Sequence, residues 1–338
     1  MQFIKSTMNL QHRINLFAEL GEYLKKNDLE WKDLKEIAFN HNPWFTTAFI
    51  DHATHQIVDQ FLKKEKLEEW VKHYHLDDNV QSKNVGIVMA GNIPMVGFHD
   101  MLTVFISGHS QTVKLSSKDD ILLKHLIKKL NSFDGEIQNR ISIAEMLKGC
   151  DAYIATGSNQ SARHFEQYFA KYPHLVRNNK TSVAVLSGDE TAAELEKLSD
   201  DIHFYFGLGC RNVTKLFVPR DYDFIPLLAS FNKYAGLRDQ NKYANNYDYQ
   251  LSILLLNNFF YMTSGSILLV ENENLFSPIS VVHYEYYDDD KKLRNDLSDQ
   301  QDIQCISGKN YTAFGEAQQP GLFAYADGID TMQFLLSL

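Results

Sequence analysis

The sequence predicts an α/β protein in which a doubly wound, mostly parallel sheet is followed by a second α/β lobe and preceded by a helical segment. From Asn84 onward, short apolar runs alternate with helical ones: NVGIVMA, a helix from Pro94, QTVKL, DDILLKHLIKKL, DAYIAT, a helix after Gly157, and SVAVLS. Such alternation builds parallel sheets, and ligands of these sheets bind beyond the carboxyl ends of the strands. After Gly207 a second series begins, with NVTKLFV, DFIPLLASF, DYQLSILLLNNFF, GSILLV, ISVVHYEY and DIQCIS. Ahead of both, Ile14, Phe17, Leu20 and Leu24 form one helical stripe, and Phe49, Ile50, Ala53, Ile57 and Phe61 another, with Asn42-Pro43 as the break. The expected limits are 1–80 for the helical segment, 81–206 for the doubly wound domain, 207–325 for the second lobe and 326–338 for a C-terminal tail.

At 338 residues and 44% hydrophobic, the chain buries a large core without staples. Its three cysteines, Cys150, Cys210 and Cys305, are widely spaced and include no CxxC pair, which argues against a disulfide framework and a structural zinc site and for a reducing compartment. The opening MQFIKSTMNLQHRINLF has no uninterrupted apolar stretch of the signal-peptide kind, and no run reaches bilayer length, so a cytoplasmic location without an integral membrane segment is expected. A formal charge of -10 repels polyanions and excludes nucleic acid as a partner. Among thirteen histidines, His52 with His55 and His73 with His75 are closely spaced. Neither pair has acidic or thiol ligands beside it, and no metal is assigned. The run DDDKKLRNDLSDQQD reads as a solvated helix and loop, and Tyr247, Tyr249, Phe259 and Phe260 read as core or interface rather than as an acyl pocket.

Three segments carry candidate chemistry. In FGLGCRNVTKLFVP, Gly207 and Gly209 lead into Cys210 just before a strand-like run, a setting that suits an accessible thiol nucleophile and equally a structural cysteine. In MAGNIPMVGFHD, Asn92 follows a strand and precedes a helix opened by Pro94; its amide suits either oxyanion donation or a helix cap. Lys114, Ser116 and Ser117 lie at the next strand end, where ribose or phosphate recognition competes with plain solvation. In IATGSNQSARHF, Thr156, Gly157 and Ser158 pass from strand to helix, a weak phosphate-binding signature or a turn.

Taken in order, these pieces resemble the aldehyde dehydrogenase superfamily, which carries an Asn in an N-(F/I)-P turn, a K-P-S-E-like run, a T-G-S turn and G-Q-x-C. The counterparts are Asn92 in GNIP, Lys114 in KLSS, Thr156-Gly157-Ser158 and Cys210 in GLGC, while ENLFSPI, with Phe276 and Pro278, resembles E-x-F-G-P. Within the superfamily, NKTSVAVLSGDET, YFGLGCRNVTKLFVPRDYDF and PGLFAYADGIDTMQFL resemble the long-chain acyl-CoA reductase family, which includes the fatty-acid reductase of bacterial bioluminescence. The likeness extends from about Asn42 to the C-terminus.

The resemblance implies an aldehyde-dehydrogenase-like fold with a nicotinamide-binding domain and a catalytic thiol domain. Cys210 would be the nucleophile, Asn92 with the Cys210 backbone N–H the oxyanion donors, and Lys114, Ser116, Ser117, Thr156, Gly157, Ser158 and Phe276 the cofactor contacts. Departures refine it. Val176 in LVRNNK stands where aldehyde-oxidising relatives carry a water-activating Glu, which favours acyl-CoA reduction over aldehyde oxidation. Ser117 replaces the ribose-binding Glu, which admits the 2′-phosphate of NADPH, with NADH as the alternative. Asn274 replaces the Glu of E-x-F-G-P. The expected reaction is reduction of a fatty acyl-CoA to the aldehyde through an acyl-cysteine. Reduction of an acyl phosphate or carrier-bound thioester, and a non-catalytic acyl-CoA or nucleotide-binding subunit, are the alternatives. Acyl-CoA is the expected substrate partner, with a homo-oligomer or acyl-transfer proteins as protein partners.

Overall fold

A computed structural model describes residues 8–338, and the chain divides into two compact units. The first comprises residues up to Asn178 together with Pro320–Leu338. It opens on four helices, α1 (Leu10–Lys26), α2 (Leu29–His41), α3 (Thr47–Gln56) and α4 (Lys64–His73). Both predicted stripes are buried, Ile14, Phe17, Leu20 and Leu24 on α1 and Phe49, Ile50 and Ala53 on α3. Asn9, Asp28 and Thr46 each cap a helix through the side chain, satisfying backbone donors that a helix start leaves over. Then follow β1 (Asn84–Val88), α5 (Phe98–Ile106), β2 (Ser110–Lys114), α6 (Asp120–Phe133), β3 (Ile141–Ile143), β4 (Ala152–Thr156), α7 (Asn159–Phe169) and β5 (His174–Arg177). The strands form one parallel sheet ordered β3-β2-β1-β4-β5. The chain therefore leaves β1 toward β2 on one side and returns to its other side as β4, and this switch point opens a crevice at the carboxyl ends of β1 and β4.

The second unit, Asn179–Gln319, contains β6 (Thr181–Val185), α8 (Ala192–His203), β7 (Val213–Pro219), α9 (Phe224–Ser230), α10 (Asn241–Leu256), β8 (Met262–Thr263), β9 (Leu268–Glu271), β10 (Val281–Tyr287), α11 (Asp290–Ser298) and β11 (Ile303–Ser307). Its sheet runs β11-β6-β7-β10-β9-β8 and is parallel except for the short β8 at one edge. Ala184, Leu216 and Val282 on the central strands and Leu198 and Leu227 on flanking helices are fully or almost fully buried in its core.

Four expectations need correction. SVAVLS is β6 of the second sheet, because its backbone pairs with β7 and β11; the fifth strand of the first sheet is HLVR, paired with β4. The limit expected at 206/207 therefore moves to 178/179. Pro94 does not open the helix after β1: α5 starts at Phe98 behind Gly97, and Pro94 sits in an intervening turn in which Met95 adopts the left-handed φ of 56°. The terminal 326–338 is no loose tail, since α12 (Thr331–Leu336) belongs to the first unit and packs on α5.

Arg177, at the end of β5, is buried and donates to Asp100 on α5 at 2.5 Å and to Thr331 on α12 at 2.7 Å. Removing one partner of a buried ion pair strands the other charge. Asp100→Ala should therefore lower stability by about 3–5 kcal/mol, seen as a reduced urea midpoint, and a midpoint within error of wild type would show that Arg177 is otherwise neutralised.

Candidate active site

Two loop systems carry the candidate residues, one in each unit. In the first unit, the segment after β1 presents Asn92 exposed to solvent. Gly97, not Asn92, occupies the cap position of α5, so the helix-cap reading of Asn92 fails. The turn after β2 lies against this segment: a β-carbon on Gly91 would come within 2.4 Å of Ser116 Oγ. Lys114 is exposed at the end of β2, and Ser117 is exposed in the turn. The Ser117 carbonyl accepts from His41 Nε2 at 2.8 Å and the Lys118 carbonyl from Asn42 Nδ2 at 3.1 Å, so α2 holds the turn from outside.

Beyond β4, Thr156 and Gly157 are half-buried, and the Ser158 side chain accepts from Ser161 N at 3.2 Å as the cap of α7. Gly157 lets the helix approach closely, because a β-carbon there would meet Ser161 Cβ at 2.9 Å and Phe165 at 3.1 Å. Asn92, Lys114, Ser116, Ser117, Thr156, Gly157 and Ser158 thus all follow the carboxyl ends of β1, β2 and β4. Val176, on β5 beside Ala155, packs with Val88 and Phe165 against the apolar cluster of Tyr153 and Phe169.

In the second unit, Cys210 lies in the loop joining α8 to β7. Tyr205, Phe206 and Gly207 take consecutive left-handed φ values of 54°, 55° and 75°, which costs about 1–2 kcal/mol for each non-glycine residue. Asn212 holds this turn. Its Nδ2 donates to the carbonyls of Asp201 at 3.0 Å and Phe204 at 2.8 Å, and its Oδ1 accepts from Gly209 N at 2.8 Å. Ser182 Oγ on β6 donates to the Cys210 carbonyl at 3.0 Å. Cys210 is half-buried, whereas Cys150 and Cys305 are buried and burial pushes both thiols up. A nucleophilic thiolate needs access, which leaves Cys210 as the candidate.

A family model of acyl-CoA reductase (LuxC) matches residues 6–226. The chain belongs to the acyl-CoA reductase (LuxC) family. It is accordingly an oxidoreductase of the acyl-CoA reductase type. Its fold is similar to that of aldehyde dehydrogenase 21 from Physcomitrella patens, solved in complex with the reaction product succinate, at TM-score 0.67 and 13% identity over 89% of this chain and 73% of that one. It is likewise similar to a Mycobacterium tuberculosis aldehyde dehydrogenase complexed with NAD+, at 0.62 and 13% over 88% and 72%. The indole-3-acetaldehyde dehydrogenase AldA of P. syringae, solved with NAD+ and IAA, aligns at 0.65 and 12% over 88% and 71%. Identities this low establish the aldehyde-dehydrogenase-like fold alone. No curated protein sequence matches the chain.

Phe276 of this acyl-CoA reductase lies in the segment between β9 and β10, whose three preceding carbonyls are each fixed by a side chain. Lys215 Nζ donates to the Glu273 carbonyl at 2.7 Å, His283 Nδ1 to the Asn274 carbonyl at 2.9 Å and Thr214 Oγ1 to the Leu275 carbonyl at 2.7 Å. Asn274 therefore serves here through its backbone. Asn212, Ser182 and this set of donors escaped the sequence reading; only the Asn two residues after Cys210 offered a local signal. Of the four aromatics near α10, Tyr247 is buried, while Tyr249, Phe259 and Phe260 are exposed, which leaves these three outside the core and the interface alternative open. α11 bears out the solvated acidic helix, with only Leu293 and Leu297 buried. Among the described residues no helix is long and apolar enough to cross a membrane, and no group of three metal-ligating side chains occurs.

His203, the last residue of α8, lines a small cavity with Phe206, Gly207, Tyr243 and Pro278. Its Nδ1 donates to the Ser199 carbonyl at 2.7 Å, its ring stacks on Tyr234 at 4.6 Å, and its Nε2 is buried without a partner. Burial pushes its pKa down from 6.5 to about 4. Between these values the unfolded chain binds the proton that the folded chain refuses. The stability contribution is therefore intact above pH 6.5 and declines as pH falls toward 4, by about 3 kcal/mol in total. Asp201, whose burial pushes its pKa up to about 7, acts in the opposite direction over this range, so the test is the difference in urea midpoint between wild type and His203→Phe, which should shift against wild type as pH falls from 7 to 4; a difference independent of pH would show that His203 does not carry this contribution.

Proposed function

We propose that the protein reduces a fatty acyl-CoA to the aldehyde with a reduced nicotinamide cofactor, NADPH in preference to NADH, through an acyl thioester on Cys210. The observation that carries this reading is Cys210, a half-buried thiol in a glycine-flanked loop fixed by Asn212 and Ser182, in a chain of the acyl-CoA reductase family. The Cys210 thiolate attacks the thioester carbonyl, the C–S bond to CoA breaks, and CoA leaves and takes a proton from solvent. Asn92 is assigned, with the Cys210 backbone N–H, to stabilising the tetrahedral oxyanion, and its exposed amide suits that task.

The first unit fits a nicotinamide dinucleotide: its sheet has a switch-point crevice, Gly91 and Gly157 let the Ser116 turn and α7 pack closely at the strand ends that border it, and Ser158 caps the helix whose N-terminus follows β4. Lys114, Ser116, Ser117, Thr156, Gly157 and Ser158 would hold it there, and Phe276 is assigned as a further cofactor contact on the resemblance of ENLFSPI to E-x-F-G-P. When bound, it supplies the hydride. Addition to the acyl-Cys210 carbonyl gives a hemithioacetal oxyanion, which expels the Cys210 thiolate and releases the aldehyde. Ser117 places a hydroxyl where a carboxylate would repel a 2′-phosphate, which supports NADPH. Val176, set in apolar packing, offers no base to activate water, so the acyl-enzyme lasts until it is reduced or returned to CoA.

The test is an absorbance assay of NADPH oxidation across acyl-CoA lengths, with aldehyde trapped as product. Wild type should consume NADPH and form aldehyde, Cys210→Ala should form none, and aldehyde supplied with NADP+ and CoA should return acyl-CoA. Free acid as the main product of that reverse reaction, or undiminished turnover in Cys210→Ala, would overturn the proposal.

A further inference from the structure

The segment carrying Asn92 has neither helix nor ladder to hold it. Nine residues separate the end of β1 at Val88 from the start of α5 at Phe98, and they include Met95, a non-glycine residue at φ 56°. A left-handed backbone at such a residue persists only where its surroundings over-determine it. One side chain does so. Asp119 Oδ2 accepts the Met95 N–H at 2.7 Å, and the neighbouring Val96 N–H adds a second backbone contact to the same carboxyl.

Asp119 itself belongs to the turn that presents Ser116 and Ser117. Its own N–H donates to the Ser116 carbonyl at 3.0 Å, and the Ser116 hydroxyl accepts from Lys118 N at 3.3 Å. The aspartate is 2% exposed, and its Oδ1 is buried with no hydrogen-bond partner. A carboxyl of this kind is expensive to keep in a core unless it has work to do there. Salt bridging is not that work, since no cation pairs with Asp119 among the described residues.

We infer that Asp119 is a positioning residue that ties the Asn92 segment to the Ser116-Ser117 turn, so that one carboxyl sets the place of the oxyanion donor and of the ribose-facing turn together. The inference rests on the acyl-CoA reductase reading of the site. It makes the two loops a single unit: loosening Asp119 frees Asn92 and displaces the floor of the cofactor crevice at once. The signal was present in the sequence as KLSSKDD, two residues beyond Ser117, and went unread because a buried aspartate in a charged run looks like a solvated one.

Two measurements test it on the full chain. The first is amide hydrogen exchange of peptides covering residues 92–97, which needs no substrate. Asp119→Ala should raise their exchange by tenfold or more, on the order expected for loss of a buried hydrogen bond, whereas Asp119→Asn, which keeps an acceptor oxygen, should stay near wild type. The second is single-turnover acylation by radiolabelled acyl-CoA without nicotinamide. Asp119→Ala should slow acylation by roughly tenfold or more, Asp119→Asn should restore most of the rate, and the Asp119→Ala, Asn92→Ala double variant should be no slower than Asn92→Ala alone. Should the alanine variant fail to fold, Asp119→Ser, too short to reach Met95, takes its place. Unchanged exchange at 92–97 in the truncated variant overturns the inference outright. So do losses that simply multiply in the double variant, because Asp119 would then act independently of Asn92. If wild type forms no acyl-enzyme at all, the proposed function falls, and the exchange experiment still decides the tie between the loops.

Discussion

The side chain of Asn212 fixes the one loop on which the proposed thiol chemistry depends. Where α8 ends, its last carbonyls lack partners, and the chain must turn through three left-handed residues to deliver Cys210 to the start of β7. A single amide answers both needs by donating to the carbonyls at the helix end and accepting from Gly209 ahead of the thiol. No apolar contact could replace it, since burial is non-directional and would leave those carbonyls unsatisfied. The strain of Tyr205 and Phe206 is tolerable because both rings are buried once the turn is made, at 5% and 2% exposure. Ser182 adds the second anchor by catching the Cys210 carbonyl from the neighbouring strand.

The same economy governs the other loops. Parallel strands leave their carboxyl ends open for ligands, and side chains from adjoining elements then fix the connecting segments. Asp119 does this for the loop after β1, His41 and Asn42 for the turn after β2, and Lys215, Thr214 and His283 for the segment ahead of Phe276. Each anchor is buried or drawn from a packed helix or strand. The residues they present, Asn92, Ser117, Cys210 and Phe276, are half-buried or exposed. Rigid anchors beneath accessible groups are the arrangement that pre-organised catalysis requires.

Fold class and the order of candidate groups were legible because they reside in local patterns: period, glycine placement, and short motifs before or after strands. Sheet membership was not legible. SVAVLS and HLVR are both short apolar strands, and only their pairing, which depends on residues more than a hundred positions away in the case of β11, assigns each to its sheet. Pro94 misled for a related reason. Proline fits a first helical turn, but here the β1 segment first has to reach Asp119, and the helix starts only at Phe98. The anchors Asn212, Asp119 and Lys215 were the least visible, because each acts through backbone atoms distant in sequence or hidden in a polar run. The exposed Leu255, Leu256, Phe259 and Phe260 show what local pattern leaves undecided, because an apolar run suits core or interface alike and the tertiary fold places these residues outside the core.

The central claim, that Cys210 carries the acyl group, is tested most directly by trapping the intermediate. The purified chain is incubated with a radiolabelled long-chain acyl-CoA in the absence of nicotinamide, quenched in acid, digested and mapped by mass spectrometry. The account predicts one stoichiometric adduct, released by hydroxylamine, on the peptide containing Cys210, with Cys150 and Cys305 unmodified. An adduct on either buried cysteine, or on no cysteine in a preparation that forms aldehyde once NADPH is added, would contradict it.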